Sequence, residues 1–226
     1  MARDPVGSRR HVRRLPGSPE AGSGSRICLA PLLVLALAAP THGPEHLGPT
    51  AIVLAAGIDP PRLTSPQRGV ALDVDDDGRP ELISWTPPRS RTSFLVLDRD
   101  GNGSVDPASE LTRLSADGSR NLARLLQLDD PDRGGNGDGM LSSADRHFDR
   151  LWTWVDRDHD GRSRRIELVP LAMSGIDAID LADEEWDFED GYGNRFRRRA
   201  TLLRRLRVGW LDVGSAFEVE WARAPH

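Results

Sequence analysis

The hexapeptide Asp156-Arg157-Asp158-His159-Asp160-Gly161 opens the stretch that most constrains what this chain can fold into. Asp stands at positions one, three and five and Gly at six. Arg162 follows at seven and Glu167 at twelve, which is the spacing of the EF-hand calcium loop. Each position has a physical reason. Calcium is a hard cation that takes six to eight oxygens at about 2.3–2.6 Å, and alternate residues of a tight loop turn inward together. Gly161 permits the sharp turn that folds the chain around the ion. Glu167 closes the shell with both carboxylate oxygens. An acidic surface turn would share the composition, but it has no need of all five positions.

Three further stretches repeat the pattern with departures. Asp73, Asp75 and Asp77 take positions one, three and five of a first loop, with Gly78 at six and Glu81 at nine. Strand-like runs flank it, so it is expected to join two strands. Asp-rich hairpin loops of this kind also occur in the FG-GAP type of β-propeller repeat. A second loop carries Asp98, Asp100 and Asn102, then Ser104 at seven and Asp106 at nine, but its closing acid, Glu110, arrives one residue late. The third loop has Asn136 at three, Asp138 at five and Asp145 at twelve, with Gly134 where the first carboxylate belongs. Asp129, Asp130 or Asp132 would have to supply that carboxylate through a bulge. The loop that begins at Asp156 is then the fourth.

Between the loops, residues 50–55 and 94–97 read as short buried strands. Leu122, Leu125, Leu126 and Leu128 have near-helical spacing. Phe148, Leu151, Trp152 and Val155 fall at i, i+3, i+4 and i+7, which predicts a short helix shared by the third and fourth loops, as in paired EF-hands. Residues 168–173 read as its exit helix. From Ile176 the period changes to that of strands, over 176–181, 184–188, 195–203, 208–213 and 216–221. The expected fold class is therefore α+β: short strands and helices joined by EF-hand-like Asp/Gly-rich calcium loops, with a β-rich C-terminal part. The expected parts are a targeting and processing segment (1–43), a β-rich part with two loops (44–115), a loop pair (116–175) and a β-rich cap (176–226).

The targeting segment is read from six arginines up to Arg26, an apolar run over 27–39 and the small-x-small sequence Ala36-Leu37-Ala38. The run falls short of the roughly 20 apolar residues that a membrane span needs, so a cleaved export signal is expected and no stable span in the mature chain. The single cysteine, Cys28, would leave with it, so no disulfide is expected. The chain has 30 basic and 35 acidic residues, every basic one an Arg, and cleavage would make the remainder more acidic. Arg195, Arg197, Arg198, Arg199, Arg204, Arg205 and Arg207 form a basic cluster. In an acidic chain, and with Phe196 as its only interleaved aromatic, it reads as a solvated strand face and not as a nucleic-acid site.

The order of these pieces is itself informative. Leu63-Thr64-Ser65, the run 78–83 beginning Gly78-Arg79-Pro80, the loop start Leu97-Asp98-Arg99-Asp100-Gly101, the glycine-rich 134–139, Leu151-Trp152, the hexapeptide from Asp156, and Gly175-Ile176-Asp177 succeed one another along the chain. Together with Tyr192-Gly193-Asn194, this series resembles a calcium-binding region of large secreted hemolysin-type bacterial proteins and their small exported relatives. The chain departs from it at Ala55-Ala56-Gly57, at Ser163 and at Leu211-Asp212-Val213. The resemblance implies an EF-hand- or dockerin-like module, exported, with no enzymatic activity assigned and no known partner.

The expectation is thus an exported, non-enzymatic protein that binds calcium ions in several loops, for fold stabilisation and for protein docking to an unknown partner. Exported modules of this type bind weakly, with Kd of roughly 10⁻⁴–10⁻³ M. Few Met residues are present for a switchable groove, so a structural ion is expected instead of a sensor. The alternatives are a propeller-like adhesion repeat and a metal-dependent hydrolase. The second lacks a nucleophile set, and His147 and His159 lack the spacing of a zinc pair.

Overall fold

A computed structural model of the chain describes residues 50–74, 77–111 and 121–224. All of these lie in one of its two compact units, Pro44–His226. The expected targeting segment lies outside the described residues, as does Asp75.

The frame is an antiparallel sheet of eight strands. In chain order the strands are β1 (Thr50–Ala55), β2 (Val70–Leu72), β3 (Glu81–Ile83), β4 (Ser93–Leu97), β5 (Met140–Ser142), β6 (Leu151–Trp154), β7 (Leu168–Pro170), β8 (Ala178–Glu189), β9 (Arg195–Arg205) and β10 (Trp210–Glu220). The order across the sheet is β5-β8-β9-β10-β1-β4-β6-β7, while β2 and β3 form a separate hairpin. Among the described residues the only α-helix is α1 (Asn121–Asp129).

The α+β expectation is therefore corrected: the protein is mostly antiparallel β-sheet. The C-terminal strands are not a cap, because β9 and β10 lie inside the sheet and β10 pairs with β1 along all six residues of β1. The expected helix through Phe148 and Val155 is a 3-10 turn, Phe148–Arg150, followed by strand β6. Leu151, Thr153 and Trp154 are all buried there, because β6 sits between β4 and β7 and has neighbours on both faces. A strand buried on two faces loses its period of two, and its apolar residues then mimic a helical spacing. The expected exit helix is likewise strand β7 and a 3-10 turn, Leu171–Met173, with Pro170 between them.

Alternation along the inner strands splits the core in two. Ala51 and Val53 of β1 join Phe94, Val96, Trp154, Phe217 and Val219 in one apolar cluster. Ile52 and Leu54 point the other way, into a cluster with Leu95, Leu97, Leu151, Ile179 and Leu202. This is the pleat of a sheet covered on both sides. The β2–β3 hairpin, Trp85 and Val105 cover the first face. Helix α1 covers the second with Leu122, Leu125 and Leu128, aided by Phe148 and Leu171. The first face is aromatic: Trp85 stands 4.4 Å from Phe94 and 5.5 Å from both Trp154 and Trp221 by ring centroids, in tilted and edge-on contacts.

The two layers distribute the acidic loops. Val70, Leu72, Val74, Val105 and Leu168, which flank or sit in the first, second and fourth loops, belong to the first cluster. Leu128, Leu141 and Phe148, around the third loop, belong to the second.

Candidate metal centres

The fourth loop leaves the sheet at the end of β6. Its Asp156 is 2% exposed, and the side chain is wholly engaged. One oxygen, Oδ1, accepts the amides of His159 (2.7 Å) and Asp160 (3.2 Å). The other, Oδ2, accepts Gly161 N–H (2.9 Å) and the indole N–H of Trp85 (2.7 Å). Gly161 makes this possible with φ of +70°, and a Cβ there would lie 3.1 Å from Val70 Cβ. Glu167, 3% exposed, reaches back to accept Arg157 N–H at 2.8 Å and Arg164 N–H at 3.2 Å. Asp160 accepts Arg162 N–H at 2.8 Å.

The second loop, after β4, repeats these contacts. Asp98 accepts Gly101 N–H at 2.7 Å and Gly103 N–H at 3.1 Å, while Asp100 accepts Asn102 N–H at 3.0 Å. Asn102 in turn accepts Ser104 N–H. Glu110 accepts Arg99 N–H at 2.8 Å and Asp106 N–H at 2.9 Å, the counterparts of Arg157 and Arg164. Its late arrival in the sequence is absorbed by a π-helical turn, Pro107–Leu111, whose wider pitch holds one more residue.

In the first loop Asp73 accepts Asp77 N–H at 3.2 Å and Gly78 N–H at 2.9 Å, Asp77 accepts Arg79 N–H, and Glu81 accepts Val74 N–H at 3.2 Å. As expected, this loop joins two strands, β2 and β3. The third loop finds its first carboxylate in Asp129, at the end of α1. Asp129 accepts Gly137 N–H at 2.8 Å and Gly139 N–H at 2.9 Å. The five extra residues fold into a turn capped by Asp130, and Gly135 packs against the Asp129 backbone so closely that a Cβ would lie 2.0 Å from its carbonyl carbon. Asp145 closes the loop by accepting Asn136 N–H (3.1 Å) and Ser142 N–H (2.7 Å), and Asn136 bonds Asp138 at 2.8 Å.

One bonding scheme therefore recurs four times. The amide of the sixth-position glycine binds the first Asp, and the closing acid binds an amide at position two or three. These bonds fix the carboxylates before any ion arrives. Asp73, Asp77 and Glu81 each place an oxygen within 4.8 Å of the others, as do Asp98, Asp100 and Glu110, and Asp156, Asp158 and Glu167. Oxygens on opposite sides of one ion at about 2.4 Å are at most about 4.8 Å apart, so the three clusters fit a calcium-sized ion. All three are built of carboxylates alone, a donor set for hard cations and not for soft ones.

Three features escaped the sequence. The first is Arg164 at position nine, whose guanidinium pairs with both Asp158 and Asp160, at 2.9 Å to the latter. The second is the pairing of loops. The third and fourth were expected to share a helix; instead the second and fourth meet, where Ser163 Oγ accepts Val105 N–H at 2.8 Å. Both residues hold position eight, so the departure at Ser163 is where the two loops touch. The third is the Trp85 indole on Asp156, which no spacing rule announces. His159 faces away from the loop interior, with its ring nitrogens 2.9 Å from the carbonyl oxygens of Thr86 and Arg68.

Two carboxyls titrate above the usual Asp range. For Asp145 the chief cause is burial; the Ser142 and Asn136 amides work against it, and Asp129 and Asp138 add to it. For Asp158 desolvation leads, opposed by Arg164 and reinforced by Asp160, Glu167 and Asp156. In both, neighbouring carboxylates add to the rise that desolvation causes, and a cation would offset that added repulsion.

Part of the arginine cluster pairs with acids across neighbouring strands: Arg197 with Glu220, Arg198 with Asp183, and Arg199 with Glu184. No helix among the described residues is long and apolar enough to cross a membrane.

Residues 52–205, well over half of the chain, match the SPM domain. The chain belongs to the SPM domain family. Over 143 residues, 60% of its length, this SPM domain chain is 37% identical to the iron-regulated protein FrpA of Neisseria meningitidis serogroup C. The match spans 12% of that much longer relative.

Proposed function

We propose that this SPM domain protein is an exported, non-enzymatic calcium-binding module, EF-hand- or dockerin-like in its loops, whose ions brace a β-sheet. The observation that carries the reading is the fourfold bonding scheme, together with the three carboxylate sets, in the first, second and fourth loops, whose oxygens lie at ion-coordinating separations. Asp98, Glu110, Asp156 and Glu167 are all buried, and crowded buried carboxylates are costly without a counter-charge. Residues Asp156, Asp158, Asp160 and Glu167 would hold one ion, and Asp98, Asp100, Asn102 and Glu110 a second. Asp73, Asp77 and Glu81 would hold a third. Asp129, Asn136, Asp138 and Asp145 are the set for a fourth. The bound ion supplies positive charge that offsets the mutual repulsion of these carboxylates.

The ions are structural in this reading, because the second, third and fourth sets each adjoin a strand of the sheet and the first joins the two strands of the β2–β3 hairpin. A protein partner would then dock on a surface that the ions have made rigid. The propeller alternative loses its support, since one eight-stranded sheet is not a ring of four-stranded blades. The hydrolase alternative gains none, with the His159 ring held by two backbone carbonyls.

The test is thermal unfolding in calcium and in chelator. An ion at 100 times its Kd stabilises by about 2.7 kcal/mol per site. In a domain of this size each kcal/mol moves Tm by roughly 2–4 °C, so a rise of at least several degrees is expected. Equal melting temperatures in the two conditions would overturn the proposal.

A further inference from the structure

The hairpin between β9 and β10 is built unlike the rest of the sheet. β8 stops pairing with β9 at Leu203, and β1 stops pairing with β10 at Ser215. Beyond these points Arg204 and Arg205 pair only with Leu211 and Trp210, so the two strands run on as a free ribbon. Its base is tied down, by Arg204 Nε–H donating to Gly175 O and by Arg205 N–H donating to Asp177. Its apex is bare: Leu206, Val208, Trp210 and Leu211 are all exposed, Val208 by 90%. Four of the large exposed apolar side chains thus fall within six consecutive residues.

Within the tip itself, residues 204–211, the charges are of one sign. Arg204, Arg205 and Arg207 interleave with the apolar residues, and the Arg205 guanidinium lies 5.4 Å from the Trp210 ring centre. The nearest acids, Asp177 and Asp212, are at the base and accept backbone amides. An apolar apex collared by arginines, on a chain of net charge −5, matches the layered chemistry of an anionic bilayer surface. Apolar side chains and the Trp ring enter the interface, and guanidinium groups reach lipid phosphates. A second copy of the chain fits less well: a ribbon tip of four side chains falls short of the roughly 800 Å² a side that a stable protein interface takes.

We propose that the β9–β10 tip is a membrane-docking finger that inserts Leu206, Val208, Trp210 and Leu211 into the interface of an anionic phospholipid bilayer. It lies on the surface and does not span. The proposal is independent of ions in the loops.

The test mixes the full chain, in chelator, with vesicles of phosphatidylglycerol and dibrominated phosphatidylcholine, whose bromines quench indoles inside the acyl layer. The expected result is partial quenching of Trp fluorescence that disappears in Trp210→Phe. Val208→Asp should abolish the same component without unfolding, since Val208 touches solvent. Vesicles of dibrominated phosphatidylcholine alone should quench several-fold less. Quenching that persists in Trp210→Phe, or is unaltered in Val208→Asp, would overturn the proposal. So would a wild-type dimer in sedimentation that Val208→Asp converts to monomer while the quenching stays.

Discussion

Arg164 makes at position nine a pair that an ion, under the proposed function, would have to break. Its guanidinium sits on Asp158 and Asp160, two carboxylates of the fourth cluster, so a cation competes with a tethered one. Exposed pairs of this kind add little to stability. Arg164→Gln should therefore cost the ion-free protein little, while calcium affinity at this loop rises about two- to fivefold in a calorimetric titration. Glu167→Gln acts the other way. Losing an inner ligand should weaken this loop by more than the roughly 10–100-fold typical of losing an outer partner, read by terbium luminescence. The contact between Val105 and Ser163 directs the secondary effect to the second loop and not to the third. Asp145 has the raised value, so in chelator it contributes stability that is fully present below the ordinary Asp value and is lost as pH rises through the raised one. Calcium binds the deprotonated form, so added calcium should reverse that slope in urea unfolding followed against pH. At this scale the sequence was most legible where backbone geometry fixes residue type, at Asp156, Gly161 and Glu167. It was silent where a side chain arrives from elsewhere, as Trp85 and Ser163 do.

Elements were harder to read than loops, for a physical reason. β6 is flanked on both sides and buried on both faces, so its Leu151-Trp152-Thr153-Trp154 gives no clean alternation, and its apolar residues mimic a helical stripe. α1 was legible because one side only meets the core, through Leu122, Leu125 and Leu128. The long strands β8 and β10 were seen as two pieces each, because register shifts after Asp180 and at Asp212 interrupt their period. The third loop shows how an insertion is tolerated: its extra residues form a side turn, and the ligating part keeps its shape around Gly135. Gly135→Ala should break that arrangement, since the methyl would collide with the Asp129 backbone. The expected loss is about 1–3 kcal/mol in urea unfolding, with terbium binding at the third loop gone and that of the other three retained.

Across the whole molecule, the sheet gives the loops unequal company. Three of them border the aromatic face around Trp85, and the third borders the face under α1. Ions bound in the first, second and fourth loops would therefore brace one layer, and Leu125→Ala, in the other, should cost about 2–5 kcal/mol in urea unfolding while leaving their calcium affinities nearly unchanged. The position of β1 has a further consequence, in time instead of space. Residues 50–55 form an inner strand that pairs with β4 over Ile52–Leu54 and, along its full length, with 215–220, so among the described residues the earliest strand is completed only by the latest one. Pairing strands so far apart in the chain makes folding slow, on the scale of milliseconds to seconds. A nascent chain emerging from the ribosome leaves one edge of this strand without its native partner until residue 220 is free, and the sheet stays incomplete for all of that interval.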